Sequence, residues 1–75
     1  MAQLTHEQYE ILERAVVKGT RVSLRRNGQG RREFVVIPTA LRMRNGREVI
    51  EVRNPTTGFQ VEIFVDEISA LEPVK

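Results

Sequence analysis

The 75-residue chain has no cysteine and no tryptophan, and its aromatic residues come to only 5 %. Without cysteine there can be no disulfide and no zinc ribbon. A single histidine, His6, leaves neither a metal cluster nor a familiar nucleophile–base pair to build. It falls in the first turn of an expected helix, where it reads as a solvated residue. No apolar run approaches the roughly 18 residues of a membrane span, and the N-terminus lacks the basic-then-apolar layout of a signal peptide. Gly28-Gln29-Gly30 resembles a fragment of a phosphate loop, but it sits between two strand patterns and opens no helix, which excludes a dinucleotide site. These absences predict a non-catalytic protein with no metal, no cofactor and no membrane partner, with the cytoplasm as the default location.

What is present is the composition of an ordinary globular chain, with 40 % hydrophobic and 29 % charged residues. A chain of this length buries only roughly 60–65 % of its unfolded surface, enough for one core. One domain spanning 1–75 is therefore expected.

The net charge of +2 conceals an uneven distribution. Residues 1–13 contribute only the carboxylates Glu7, Glu10 and Glu13. From 14 to 53, basic side chains far outnumber Glu33, Glu48 and Glu51. From 54 onward the balance turns acidic again, with Glu62, Asp66, Glu67 and Glu72 against Lys75. A basic middle between acidic ends suggests a surface that attracts nucleic acid or an acidic protein. It is equally the pattern of cross-strand ion pairs that join the ends to the middle.

The local signals are of two kinds. Thr5 with Gln8 three residues later forms a capping box, with Leu4 and Tyr9 at the hydrophobic staple positions. Tyr9, Ile11, Leu12, Ala15 and Val16 make an apolar stripe at helical spacing, and Gly19 ends it. A helix is predicted over about 6–18. Beyond Gly19 the period becomes two: Thr20, Val22 and Leu24 alternate with Arg21, Ser23 and Arg25. Asn27 to Gly30 reads as a turn, Arg32 to Ile37 as a strand, and Pro38 as a stop or a kink into the next segment. Asn45-Gly46 signals a two-residue type I′ hairpin. That turn pairs Arg44 with Arg47, Arg42 with Val49 and Leu41 with Ile50, placing Leu41 and Met43 on the inner face beside Ile50 and Val52. Asn54 to Gly58 is the next turn, Phe59 to Val65 the clearest strand, and Ile68 to Leu71 a short closing one. The fold class that follows is mainly β: an N-terminal helix, then a five-stranded antiparallel SH3/Sm-like barrel over about 20–72, closed to remove open edges.

Two features exceed what the fold needs. Ten of the twelve basic residues are arginine, whose planar fork suits phosphate and carboxylate alike. Arg21, Arg25, Arg42, Arg44, Arg47 and Arg53 fall on the outward face, with Arg26, Arg31 and Arg32 around the first turn. Arg44 directly opposite Arg47 is unfavourable by about a few tenths of a kcal/mol. An anionic partner would relieve that repulsion, and so would solvent or the neighbouring Glu48 and Glu51. Candidate nucleic-acid contacts are thus Arg25, Arg26, Arg31, Arg32, Arg42, Arg44 and Arg47. Phe64 is the second feature: it shares a face with Gln60 and Glu62, as a protein anchor, a stacking platform or a residue packed under the helix.

The turn and core positions carry a resemblance. Ala15, Lys18, Gly19, Val22 and Leu24, Pro38 before Leu41, Gly46, the Asn54 to Gly58 turn and the closing Val65-Asp66-Glu67-Ile68-Ser69-Ala70-Leu71-Glu72 together resemble a WYL domain. That is the Sm-like barrel of many bacterial transcription regulators. The resemblance runs from Ala15 to Glu72 and implies the fold and a place in regulation. It does not carry the family's nucleotide or oligonucleotide site, because Glu48-Val49-Ile50 stand where the family has Trp-Tyr-Leu. Phe64 and Glu67 stand where it has basic ligand contacts, and Arg26 where it often has tyrosine. The N-terminal winged-helix DNA reader of those regulators has no counterpart here either. The small Rho-inhibitor proteins called Rof are similar in architecture and in a turn like Val65 to Ile68, but they bind a protein through acidic surface, unlike this basic middle. The resulting expectation is a small regulatory binding module for nucleic acid or another polyanion, with a protein-interaction module in transcription or related regulation as the alternative.

Overall fold

The computed structural model describes residues 4–28, 30 and 32–74. Its first element, α1 (His6–Lys18), begins and ends as the sequence signals require. Gln8 N–H donates to the Thr5 hydroxyl at 3.2 Å, and Thr5 N–H donates to the Gln8 side chain at 2.8 Å. These two bonds satisfy donors that the first turn leaves free. At the other end Gly19 adopts φ 69°, and its N–H donates to Ala15 O at 2.8 Å. Of the described residues, no helix is long and apolar enough to cross a membrane.

Five antiparallel strands follow: β1 (Val22–Arg26), β2 (Phe34–Arg44), β3 (Arg47–Arg53), β4 (Gln60–Phe64) and β5 (Ile68–Pro73). Their hydrogen-bonded order is β4-β3-β2-β1-β5. The hairpin register is the one that Asn45-Gly46 dictates, with Arg44 opposite Arg47, Arg42 opposite Val49 and Leu41 opposite Ile50. Asn45 and Gly46 both have positive φ, 52° and 78°, as a type I′ turn demands.

Pro38 kinks its strand without ending it. β2 runs unbroken through it, with a register shift between Pro38 and Ala40. A proline inside a sheet is tolerated at such a bulge because one ladder bond is already lost there. Thr39 offsets part of that loss, its hydroxyl donating to Glu51 O at 3.1 Å. A second shift separates Arg25 from Arg26 in the β1–β5 ladder.

All five strands and the helix enclose one apolar core. Leu4, Leu12 and Ala15 meet Val22, Leu24, Val36, Ile50, Val52, Ile63, Val65, Ile68 and Leu71, with Tyr9, Ile11 and Phe34 packed at the margin. Leu12, Ile50 and Val52 are fully shielded from solvent.

Two expectations need correction. Closure is incomplete, because β4 and β5 remain the two ends of the sheet order. Between them the chain passes through a single 3-10 turn, Val65–Glu67, and β5 pairs with β1 instead of returning along β4. Leu41 and Met43 do lie on the face of Ile50, but they are 38 % and 64 % exposed. The hairpin extends past the end of the core, and α1, which packs mainly against β2 and β5, leaves an open groove beside Leu41.

One polar contact ties the helix to the hairpin. Tyr9 O–H donates to Glu48 Oε1 at 2.6 Å. That hydrogen bond, with burial and the carboxylate's charge adding to it, pushes the phenol from 10.0 to about 12. A raised folded-state pKa means the contribution is complete below pH 10 and is lost as pH rises through about 12. Tyr9→Phe should therefore lower stability at neutral pH by about 1–2 kcal/mol. It should also remove the alkaline fall that wild type shows across that window, as measured by urea unfolding at stepped pH. Separately, Thr5→Ala should cost about 1 kcal/mol through the lost cap, and Leu12→Ala about 2–5 kcal/mol through a core cavity. Both are checked by denaturant melts.

Candidate functional site

The outward face of β2, β3 and β4 is where the candidate arginines converge. Three strands place Arg42 and Arg44, then Arg47, Val49 and Glu51, then Glu62 and Phe64, side by side on one surface. Arg42 Nε meets Glu51 Oε1 at 2.7 Å, and Arg44 Nη2 meets Glu62 Oε2 at 2.7 Å. Arg47 holds Asp66 with two parallel bonds, Nη2 to Oδ1 at 2.8 Å and Nε to Oδ2 at 3.2 Å. The same guanidinium lies 3.6 Å from the centre of the Phe64 ring, a stacked cation–π contact.

The Arg44–Glu62 pair reaches from β2 to β4 and so spans the strand between them. Directly beneath that span is Val49, which is 1 % exposed although it points away from the main core. The aliphatic stems of the arginines thus shield an apolar side chain while their heads remain wet. The repulsion expected between Arg44 and Arg47 is relieved from within, since each turns to its own carboxylate. Both guanidinium pKa values are raised above the ordinary range, first by the hydrogen bonds to Glu62 and Asp66 respectively. The Asp66 carboxyl is held below its ordinary 3.8 by the bonds from Arg47.

The other candidates lie apart from this face. Arg25 pairs with Glu33 at 3.0 Å and Arg26 with Glu67 at 3.3 Å. Arg32 sits 6.0 Å from the centre of the Phe34 ring. Arg31 lies outside the described residues. Phe64 does not pack under the helix; it is half-buried beneath Arg47 on the opposite side of the sheet. His6 is the solvated first-turn residue anticipated, with Nε2 3.1 Å from Glu10 Oε1.

Among the described residues, no carboxylate lies within 4.0 Å of the charged ends of Arg14, Lys18, Arg21, Arg32 or Arg53. Alternation places Arg21 and Arg53 on the outward face, but nothing in the sequence separates them from the arginines that find partners. α1 and β2 also leave an open apolar groove lined by Leu12, Glu13, Val16, Val17 and Leu41. Val17 on its rim is 85 % exposed.

No protein-family model and no curated protein sequence matches the chain. A solved structure does: proteasome accessory factor B/C (PafBC) of Arthrobacter aurescens, with a TM-score of 0.73 and 22 % identity. The match covers 96 % of this chain and 12 % of that one. At that identity the likeness is one of fold alone, a helix followed by an antiparallel five-stranded sheet. The chain spans only a small part of the length of its structural counterpart.

The Arg47 fork makes a direct prediction. Arg47→Ala should return the Asp66 carboxyl toward its ordinary 3.8, seen as a rightward shift of its titration in carboxyl-detected NMR. Because the wild-type value is depressed, the stability from this pair is present above 3.8 and is lost as pH falls through the lower folded value. The variant should lose that acid dependence. An unchanged Asp66 titration would show that the fork does not persist in solution.

Proposed function

We propose that this chain is a non-catalytic regulatory binding module that holds an anionic partner, nucleic acid in the first place, on its surface. The observation that carries the reading is the imbalance left after internal pairing. Arg14, Lys18, Arg21, Arg32 and Arg53 have no carboxylate within 4.0 Å among the described residues. The arginines of the hairpin add to this supply. Their pairs are exposed, and exposed pairs contribute only about 0–1 kcal/mol each. A phosphate can therefore replace a carboxylate at Arg42, Arg44 or Arg47 with little loss. A fold shared with part of a proteasome accessory factor is in keeping with an accessory, regulatory role. The lack of a nucleophile–base pair in the sequence supports a role without catalysis.

A second reading, a protein-interaction module, is favoured by the apolar groove between α1 and β2 and the exposed Val17 and Met43 near it. Phe64 contributes less to such a surface than its sequence position suggests, because Arg47 covers one face of its ring.

Fluorescence anisotropy with labelled single-stranded RNA, single-stranded DNA and duplex DNA separates the two. The polyanion reading predicts binding at low salt that weakens as salt rises. Each phosphate contact contributes about 0.7 to the slope of log K against log salt for a single strand. Absence of binding at low salt to all three would sink it and direct attention to a protein partner.

A further inference from the structure

β4 is hydrogen-bonded to β3 alone, so one long side of it is open. Which backbone groups face that side follows from the turn before it. Asn54 N–H donates to Phe59 O at 2.9 Å, which makes Asn54 and Phe59 a bonded pair. Bonded and non-bonded pairs alternate along an antiparallel ladder. Val52–Val61 and Ile50–Ile63 are therefore bonded pairs, and Gln60 and Glu62 turn their N–H and C=O groups to the open side. The β3–β4 ladder runs without a register shift, and Gln60–Phe64 contains no proline or lysine to blunt the edge.

Apolar side chains are as open here as the backbone. Val61 has the inward parity of Ile63, and Phe59 has that of Val61. Ile63 is buried, yet Val61 is 52 % and Phe59 74 % exposed, and neither joins the core. The other end of the sheet is different. Val74 N–H donates to Arg21 O at 3.3 Å, so Val22 and Pro73 form a non-bonded pair. The Pro73 nitrogen then lies on the open side of β5, where it has no hydrogen to donate.

Read in either direction from Val61, the segment presents the same pattern: a polar residue, Gln60 or Glu62, then an apolar one, Phe59 or Ile63. A strand with that symmetry is its own complement. Two copies set antiparallel about a two-fold axis at Val61 place Gln60 opposite Glu62 and Phe59 opposite Ile63. The two Val61 side chains face each other, and Gln60 and Glu62 exchange both backbone bonds at each end. No like charges stand opposite. Arg53, which has no carboxylate within 4.0 Å among the described residues, is the cross-strand neighbour of Gln60. In the pair it shares an outward row with Glu62 of the second copy, two strand spacings or roughly 10 Å away. Arg44 already spans β2 to β4 to reach Glu62 within one copy.

We infer that the open edge of β4 is a homodimer interface, in which a second copy of this chain pairs with it antiparallel about Val61. The contact continues the sheet from one copy into the next and covers Phe59 and Val61 of both. It is closed by its own symmetry, whereas a ring would need β4 to pair with the β5 edge that Pro73 blunts. A junction of two short strands buries less than the roughly 1,200 Å² of a standard interface, so the dissociation constant is expected on the order of 0.1 mM.

Sedimentation equilibrium of the full chain should show monomer and dimer and nothing larger. Val61→Lys puts a charge on the axis, and Gln60→Pro removes an open-side donor without touching a bond to β3; circular dichroism melts show that both fold. Because the two-fold repeats every change, each should weaken association by about tenfold or more. The chain has no cysteine, so single replacements report the register. Val61→Cys should give a disulfide-linked dimer in oxidised glutathione, since opposed non-bonded positions lie about 4.5 Å apart at Cα. Phe59→Cys should not, because its copy lies four residues along the strand, about 14 Å away. A monomer at every concentration up to about 1 mM, well above the expected constant, would overturn the inference. So would association that both edge variants leave intact, equal crosslinking at 59 and 61, or species larger than the dimer. None of these outcomes bears on binding to nucleic acid, so this inference and the polyanion reading stand or fall separately.

Discussion

Enclosing one small apolar core is the constraint from which the other features follow. Only short strands and a single helix are available to cover Leu12, Ile50 and Val52, and a flat sheet of five such strands would leave half of its inward face in water. The sheet must bend, and it bends where the ladder is already broken, at Pro38 to Ala40 and at Arg25 to Arg26. The helix completes the enclosure on the side the strands leave open, fastened at one end by Leu4 beneath the cap and near the hairpin by Tyr9 on Glu48. The same bend explains why the sheet stops short of a hydrogen-bonded barrel. The 3-10 turn at Val65 to Glu67 redirects the chain onto β1, so β4 keeps a free edge.

Once the core is enclosed, the outward face has to accommodate an unusual density of arginine. It does so by drawing carboxylates from parts of the chain distant in sequence. Glu62 and Asp66, from the acidic C-terminal third, neutralise Arg44 and Arg47 of the basic middle. The pairs are individually weak because water screens them. Collectively they order the long side chains into a cover for Val49 and Phe64, and that packing contribution does not depend on salt. The charge asymmetry along the chain is thus used up at the hairpin and left over at Arg21 and Arg53, which have no carboxylate within 4.0 Å among the described residues. The arginine-rich hairpin surface is the one best matched internally.

Several elements were legible because they depend on neighbours in the chain. The capping box, the Gly19 terminus, the hairpin register and the alternation of the β4 strand are all local, each decided within a few residues. Misreadings arose where the answer depended on distance across the fold. Met43 has the correct parity for the inward face, but parity does not reveal where the core ends. Phe64 has the parity of a solvent-facing residue, and its actual cover is a guanidinium from the neighbouring strand. Val49 has outward parity too, yet is buried by a bridge that passes above it.

By itself, then, the sequence determined the elements, their order and the hairpin pairing, because backbone conformational preferences and side-chain periodicity act over one or two turns of chain. It also determined that positive charge would be in excess in the middle third. Which arginines would be neutralised was decided only by the tertiary structure. An ion pair forms when strand order and register bring two side chains within about 4 Å, and Arg44 cannot be distinguished from Arg53 until β4 has been laid beside β3. The physical reason is the range of the forces involved. Local preferences are set through bonded neighbours, whereas charge pairing and burial act through space and wait on the fold.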